Sequence, residues 1–233
     1  MIRFSDAPTQ FEKIEDPSKL EGYQSIHPSG DISKMEAQDF WDEIFSEPIE
    51  DNAQIENKIK KDVYGRSEDE FIFDVNTNAK EIQEALAPFN TSEWAKLNGF
   101  DKEKAIVNLE STIAIMLGVK DRPRIEFFEG DKWDCGSYVP NKNVIKINKN
   151  NLDSPSELVN TIAHETRHAY QFQRACNIEN YMDFLYAYNF KHYITPTLTE
   201  NGYINFIEYQ DQLVEAEARA FAELFEKEIV GDE

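Results

Sequence analysis

His164-Glu165-Thr166-Arg167-His168 is the stretch that decides how this chain is read. It has the form H-E-x-x-H. On a helix, residues i and i+4 lie one turn apart on the same face, so the two imidazoles can converge on one ion. Glu165 then sits to one side, free to handle a proton on water at that ion. A bare H-E-x-x-H arises by chance in roughly one chain in a hundred of this length, so its surroundings must support it.

The surroundings specify a helix. Ser154 stands at the N-cap, Pro155 at the first helical position, and Glu157 completes a capping box. Leu158, Ile162 and Ala169 point inward, which makes the segment from 155 to about 173 amphipathic. Both histidines fall near its middle, where backbone geometry is most rigid.

Upstream lies a β region. Ile125-Glu126-Phe127-Phe128 predicts one strand, Cys135 to Val139 a second, and Val144-Ile145-Lys146-Ile147-Asn148 a third, with Pro140 to Asn143 as a turn. A small antiparallel sheet packed on the motif helix is expected. An edge strand beside a metal can hold an extended peptide by main-chain pairing. Before it, Asp101 is expected to cap a helix carrying Ile106, Leu109, Ile113 and Leu117 on one stripe and closed by Gly118. Ile82, Leu86 and Phe89 share a face interrupted by Pro88, and Trp94 and Leu97 follow.

The first part of the chain is more irregular. Residues 1 to 32 carry scattered Pro and Gly, and Ser33 to Glu47 reads as a helix with a Phe40, Trp41, Ile44 and Phe45 stripe. Ile55, Ile59 and Val63 mark a short polar helix ending near Gly65, and Phe71-Ile72-Phe73 fits helix or strand. The expected division is an accessory segment, 1–75, before a mainly helical α+β domain, 76–233. Downstream, residues 178 to 195 are aromatic-rich and helical until Thr195-Pro196, and Asn201-Gly202 is a turn. A last helix is expected from Ile204 or Tyr209 to Ile229.

Composition narrows the function. Of 233 residues, 24 are Lys or Arg and 45 are Asp or Glu, a net charge of −21. Duplex DNA and anionic membranes are held mainly by Lys and Arg, so neither is an expected partner. A basic or neutral protein fits better. Cys135 and Cys176 form no C-x-x-C pair and are expected as reduced thiols. No signal peptide or apolar span is visible, so the default location is the cytoplasm, unless a dedicated secretion system exports the chain.

Two histidines need a third ligand, because catalytic zinc sites use three protein ligands and leave one position open. The last helix offers Glu208, Glu215, Glu217, Glu223 and Glu226. Glu215 shares a stripe with Ala218, Ala222 and Phe225; Glu217 shares one with Ala220, Phe221 and Leu224. Periodicity does not decide between these two. Tyr209, Tyr203, His192 and Arg219 are candidate donors to an oxyanion. As lone histidines, His27 and His192 are more often structural.

His164 to Gln171, together with Tyr209-x-x-Gln212-x-x-Glu215-x-Glu217-Ala218-x-x-Phe221-Ala222, resembles the glutamate zincins, metallopeptidases with two His on one helix and a Glu on a later one. The E-x-x-A-x-x-F-A pattern is similar to that of bacterial and phage-borne members. Leu117-Gly118, Pro123-x-Ile125 and Ile145-x-Ile147-Asn148, leading into Thr161-Ile162-Ala163-His164-Glu165, resemble metallopeptidase domains of bacterial polymorphic toxins. The resemblance covers roughly residues 77 to 229. It implies a zincin-like fold, Zn2+ held by His164, His168 and Glu215, Glu165 as general base, a peptide or protein substrate, and a toxin, effector or phage-encoded protease role. One departure stands out: many glutamate zincins carry Asp or Asn four residues after the third ligand, bracing a zinc-bound His, and this chain has Arg219 there. Glu217 and Arg219 thus join Tyr209 as residues that could surround the ligands.

Two rival readings remain. One is a catalytically silent zincin-fold module that binds a basic partner; an intact Glu165 argues against it. The other is a zinc-dependent regulator that binds or cleaves one DNA-binding repressor.

Overall fold

The computed structural model describes residues 52–197 and 205–230. The expected helix at Ser33–Glu47, His27 and Tyr203 lie outside the described residues. Helix α1 spans Asn52–Val63, α2 Lys80–Leu86, α3 Thr91–Trp94 and α4 Gly99–Leu117. Strands β1 (Arg124–Phe128), β2 (Gly136–Val139) and β3 (Val144–Asn148) follow. The motif lies on α5 (Pro155–Cys176), and α6 (Tyr181–Lys191), α7 (Phe206–Gln210) and α8 (Leu213–Val230) complete the order. The class is α+β, mainly helical with one small sheet. None of the described helices is long and apolar enough to cross a membrane.

The sheet differs from the antiparallel one expected. Its order is β1-β3-β2; β2 pairs antiparallel with β3, but β1 pairs parallel with it, Arg124 opposite Val144 and Phe128 opposite Asn148. The cause lies in the connections. The 140–143 turn folds β3 back onto β2 as a hairpin. The longer 129–135 segment carries the chain across two strand spacings, about 10 Å, so β3 fills the gap beside β1. That segment is held by asparagines. Asn148 donates to the Asp131 and Asp134 carbonyls at 2.9 and 2.8 Å, Asn150 to Gly130 at 2.8 Å and Asn151 to Lys132 at 3.0 Å.

Helix ends show which local signals won. Gly118, at φ 71°, closes α4 in the left-handed conformation open to glycine, as expected. Its start is one turn earlier than the Asp101 cap: Asn98 is the N-cap, and its side chain accepts from the Asp101 N–H at 3.0 Å. Ser154 occupies the N-cap of α5 but makes no side-chain cap bond. The aromatic helix α6 stops at Lys191, before Thr195-Pro196. The single last helix is two, α7 and α8, broken at Asp211-Gln212. Phe71 to Phe73 is neither helix nor strand; Ile72 is exposed, and Phe73 packs edge-on against Phe221 with ring centroids 5.4 Å apart.

The core runs on both sides of α5. Leu109, Ile113, Ile145 and Ile147 meet Leu158 and Ile162 from the α4 and sheet side, while Leu213, Val214, Phe221, Ala222 and Phe225 of α8 pack on the other. Burying each large side chain contributes roughly 1.5–3 kcal/mol. The 56–75 region joins the same body: Val63 is buried, Tyr181 donates to Asp62 at 2.7 Å, and Arg219 pairs with Glu68 at 2.5 Å.

Candidate metal centre

The centre forms where α5 and α8 cross. Their contact is close because Ala163 and Ala169 on α5 and Ala216, Ala218 and Ala222 on α8 are fully buried at or near it. This brings together His164, His168 and Glu215, whose donor atoms lie within 4.8 Å of one another. His164 Nε2 is 2.9 Å from His168 Nε2. Glu215 Oε2 is 3.4 Å from His164 Nε2, and Oε1 is 3.2 Å from His168 Nε2. Ligands at about 2.1 Å in a tetrahedral array lie roughly 3.4 Å apart. Two imidazole nitrogens and a carboxylate oxygen at these separations therefore fit a zinc-sized ion without rebuilding the helices.

The electrostatics couple the carboxylate tightly to the two imidazoles. Burial works against the Glu215 charge, but His168 and His164 outweigh it and hold the carboxyl well below its usual range. Burial likewise disfavours the charged form of His168, yet the Glu215 carboxylate prevails and raises that imidazole to about 9.

Two hydroxyls orient the Glu215 carboxylate. Tyr193 donates to Oε1, and Tyr209 donates to Oε2 at 2.9 Å. The start of α8 is pinned to place them. Gln212, fully buried, accepts from Asn189 Nδ2 at 2.9 Å and from the Ile194 N–H at 3.0 Å, and donates to the Ile194 and Tyr209 carbonyls at 2.8 and 3.0 Å. Asn189 in turn accepts from the Val214 N–H at 2.9 Å.

Glu165, beside the imidazoles, is also tied to the sheet. Its Oε2 accepts from the Tyr138 backbone N–H of β2 at 2.6 Å. Burial pushes its carboxyl up, opposed by the nearby imidazoles. That contact depends on Gly136. A Cβ there would stand 2.7 Å from the Lys146 carbonyl oxygen and 2.8 Å from Thr161 Cγ2, so only glycine lets β2 lie this close to α5.

The other candidates separate cleanly. Glu217 is not among the three converging ligands; it pairs with Arg167 and accepts from Tyr186 at 2.8 Å and Gln171 at 2.8 Å. Arg219 points away, to Glu68 and the Gln210 carbonyl. His192 Nδ1 is 2.9 Å from the Tyr188 carbonyl. The Tyr209 hydroxyl is engaged by Glu215 rather than left for an oxyanion. Sequence reasoning gave no role to Tyr193, Gln171 or the Tyr138 amide. Gln171 had a usable signal, its i+3 spacing from His168 on one helix face. The Tyr138 contact involves a backbone group and leaves no mark in the sequence.

Comparison with protein-family models, curated proteins and solved structures gives no match. The functional reading rests on the residues and their geometry.

Proposed function

We propose that the chain is a zinc-dependent metallopeptidase of the glutamate-zincin type. One observation carries this reading. The Nε2 atoms of His164 and His168 converge with the Glu215 carboxylate at ligand-to-ligand distances, beside a buried Glu165 on the same helix.

His164, His168 and Glu215 would hold the zinc. When bound, zinc supplies Lewis acidity, lowering the pKa of water toward ~7 and polarising a carbonyl. Glu165 takes one proton from the attacking water and passes it to the leaving amine as the C–N bond breaks. The Tyr138 N–H engages Oε2 alone and holds the side chain in one orientation. Tyr193 and Tyr209 keep both Glu215 oxygens turned to the imidazoles. A net charge of −21 favours a basic or neutral protein substrate.

The test uses zinc-loaded protein, an unfolded protein substrate and mass spectrometry of new termini. Wild type is expected to cleave. Glu165→Gln is expected to retain about one zinc and to lose cleavage by roughly 10²–10⁴-fold. Cleavage by Glu165→Gln at the wild-type rate would refute the assignment. Zinc-loaded wild type that cleaves nothing would favour the silent binding module.

A further inference from the structure

We propose that Gln171 and Glu217 are positioning residues of the metal centre, which fix the His168 ring with Nδ1 protonated and Nε2 turned to the ion. This rests on the metal-binding reading above and deepens it.

The available hydrogens fix the orientation of both side chains. Gln171 is fully buried. Its Nε2 lies 3.1 Å from the Val214 carbonyl and 2.8 Å from Glu217 Oε2. Both partners can only accept, and an amide nitrogen has two hydrogens, so both are used. Flipping the amide would set its carbonyl oxygen against two acceptors at a fully buried position. Gln171 Oε1 must therefore face His168, where it lies 2.9 Å from Nδ1. An amide oxygen only accepts, so Nδ1 carries the hydrogen. Nε2 is then the nitrogen whose lone pair is available to a metal, and it is the one aimed at Glu215.

Glu217 is locked in turn. Arg167, the fourth residue of the motif, and Tyr186 of α6 both donate to Oε1. The Arg167 guanidinium lies over the rings of Phe73, Tyr170 and Phe221, 4.5–5.2 Å from their centroids. The donors thus run in one direction, from His168 to Gln171 to Glu217, with Arg167 and Tyr186 anchoring the far end. Three helices, α5, α6 and α8, are tied to the angle of one imidazole. This arrangement supplies the bracing that Arg219, turned toward Glu68, does not.

The experiment measures zinc affinity by chelator competition and the ring N–H signals of zinc-loaded protein by NMR, with circular dichroism as the check on folding. Wild type is expected to bind about one zinc and to show an exchange-protected Nδ1–H on His168. Gln171→Leu is expected to lose that signal and to bind zinc 10–100-fold more weakly while keeping its helical spectrum. If Gln171→Leu does not fold, Glu217→Gln decides, with at least a tenfold loss of affinity expected. Unchanged affinity and an unchanged Nδ1–H in the folded variant would overturn this proposal and leave the metal centre standing. No zinc bound by wild type would overturn the metal centre itself, and this proposal with it.

Discussion

Glu215 and Glu217 are the same residue type, two positions apart on one helix, and both are buried. Their surroundings differ in kind. Glu217 faces Arg167, a cation that never gives up its charge, with Tyr186 and Gln171 completing its hydrogen bonds. Glu215 faces two imidazoles and two phenols, all of which can be neutral. A carboxylate bound to a permanent cation is closed to a metal. A carboxylate whose partners can all be neutral stays open to one. The chemistry of a buried acid is set by whether its partner keeps its charge.

The largest effect is expected at Arg167. Arg167→Met removes the permanent cation and leaves Glu217 buried without it. Loss of one partner from a buried pair costs about 3–5 kcal/mol, so urea denaturation should show a large fall in stability. A loss below about 1 kcal/mol would mean that Glu217 is not held as described.

A smaller effect is expected where the motif helix meets the sheet. Gly136→Ala places a methyl group against the Lys146 carbonyl and Thr161. Overpacking of this kind costs about 1–3 kcal/mol. It should also part the Tyr138 N–H from Glu165, lowering the proposed peptidase activity while the zinc content of the α5–α8 side is kept. Zinc loss in Gly136→Ala would show that the two sides of α5 are not independent.

The smallest effect sharpens the role of partners. Glu110 on α4 is fully buried, and neither of its oxygens makes a hydrogen bond among the described residues, although Arg122 Nε approaches to 3.0 Å. Burial pushes its carboxyl up from 4.5 to about 7, with Arg122 opposing. A carboxyl with a raised folded pKa takes up a proton on folding. Its favourable contribution is complete below about pH 4.5 and is lost as the pH rises through about 7. Glu110→Gln should therefore gain stability relative to wild type as the pH rises from about 4.5 to 8, because the amide has no proton to lose. Thermal melts at both pH values read this directly. The same difference between the two proteins at both pH values would show that Glu110 is better solvated than its burial implies.

Much of the fold was legible because single residues or simple periods encode it. Gly118 ends α4, Pro155 opens α5, and Ile106, Leu109 and Ile113 lie on the buried face of α4. The parallel pairing of β1 with β3 was not legible, because pairing direction depends on where the 129–135 segment delivers the chain. The break before α8 was hidden for a similar reason. Gln212 reads as an ordinary helical residue until Asn189 and Ile194 are seen to bind its side chain. Periodicity could not choose between Glu215 and Glu217, because Phe221 beside one stripe and Phe225 beside the other are both fully buried. The choice rests on what α5 and α6 present to each, and that is a tertiary fact.

Zinc content is the most direct test of the central contrast. Inductively coupled plasma mass spectrometry after desalting should find about one zinc per chain in wild type, almost none in Glu215→Ala, and a substantial fraction in Glu217→Ala. Zinc lost from Glu217→Ala but kept by Glu215→Ala, in proteins with unchanged circular dichroism, would contradict the assignment of the third ligand. Wild type free of zinc even after reconstitution would contradict the metal centre altogether.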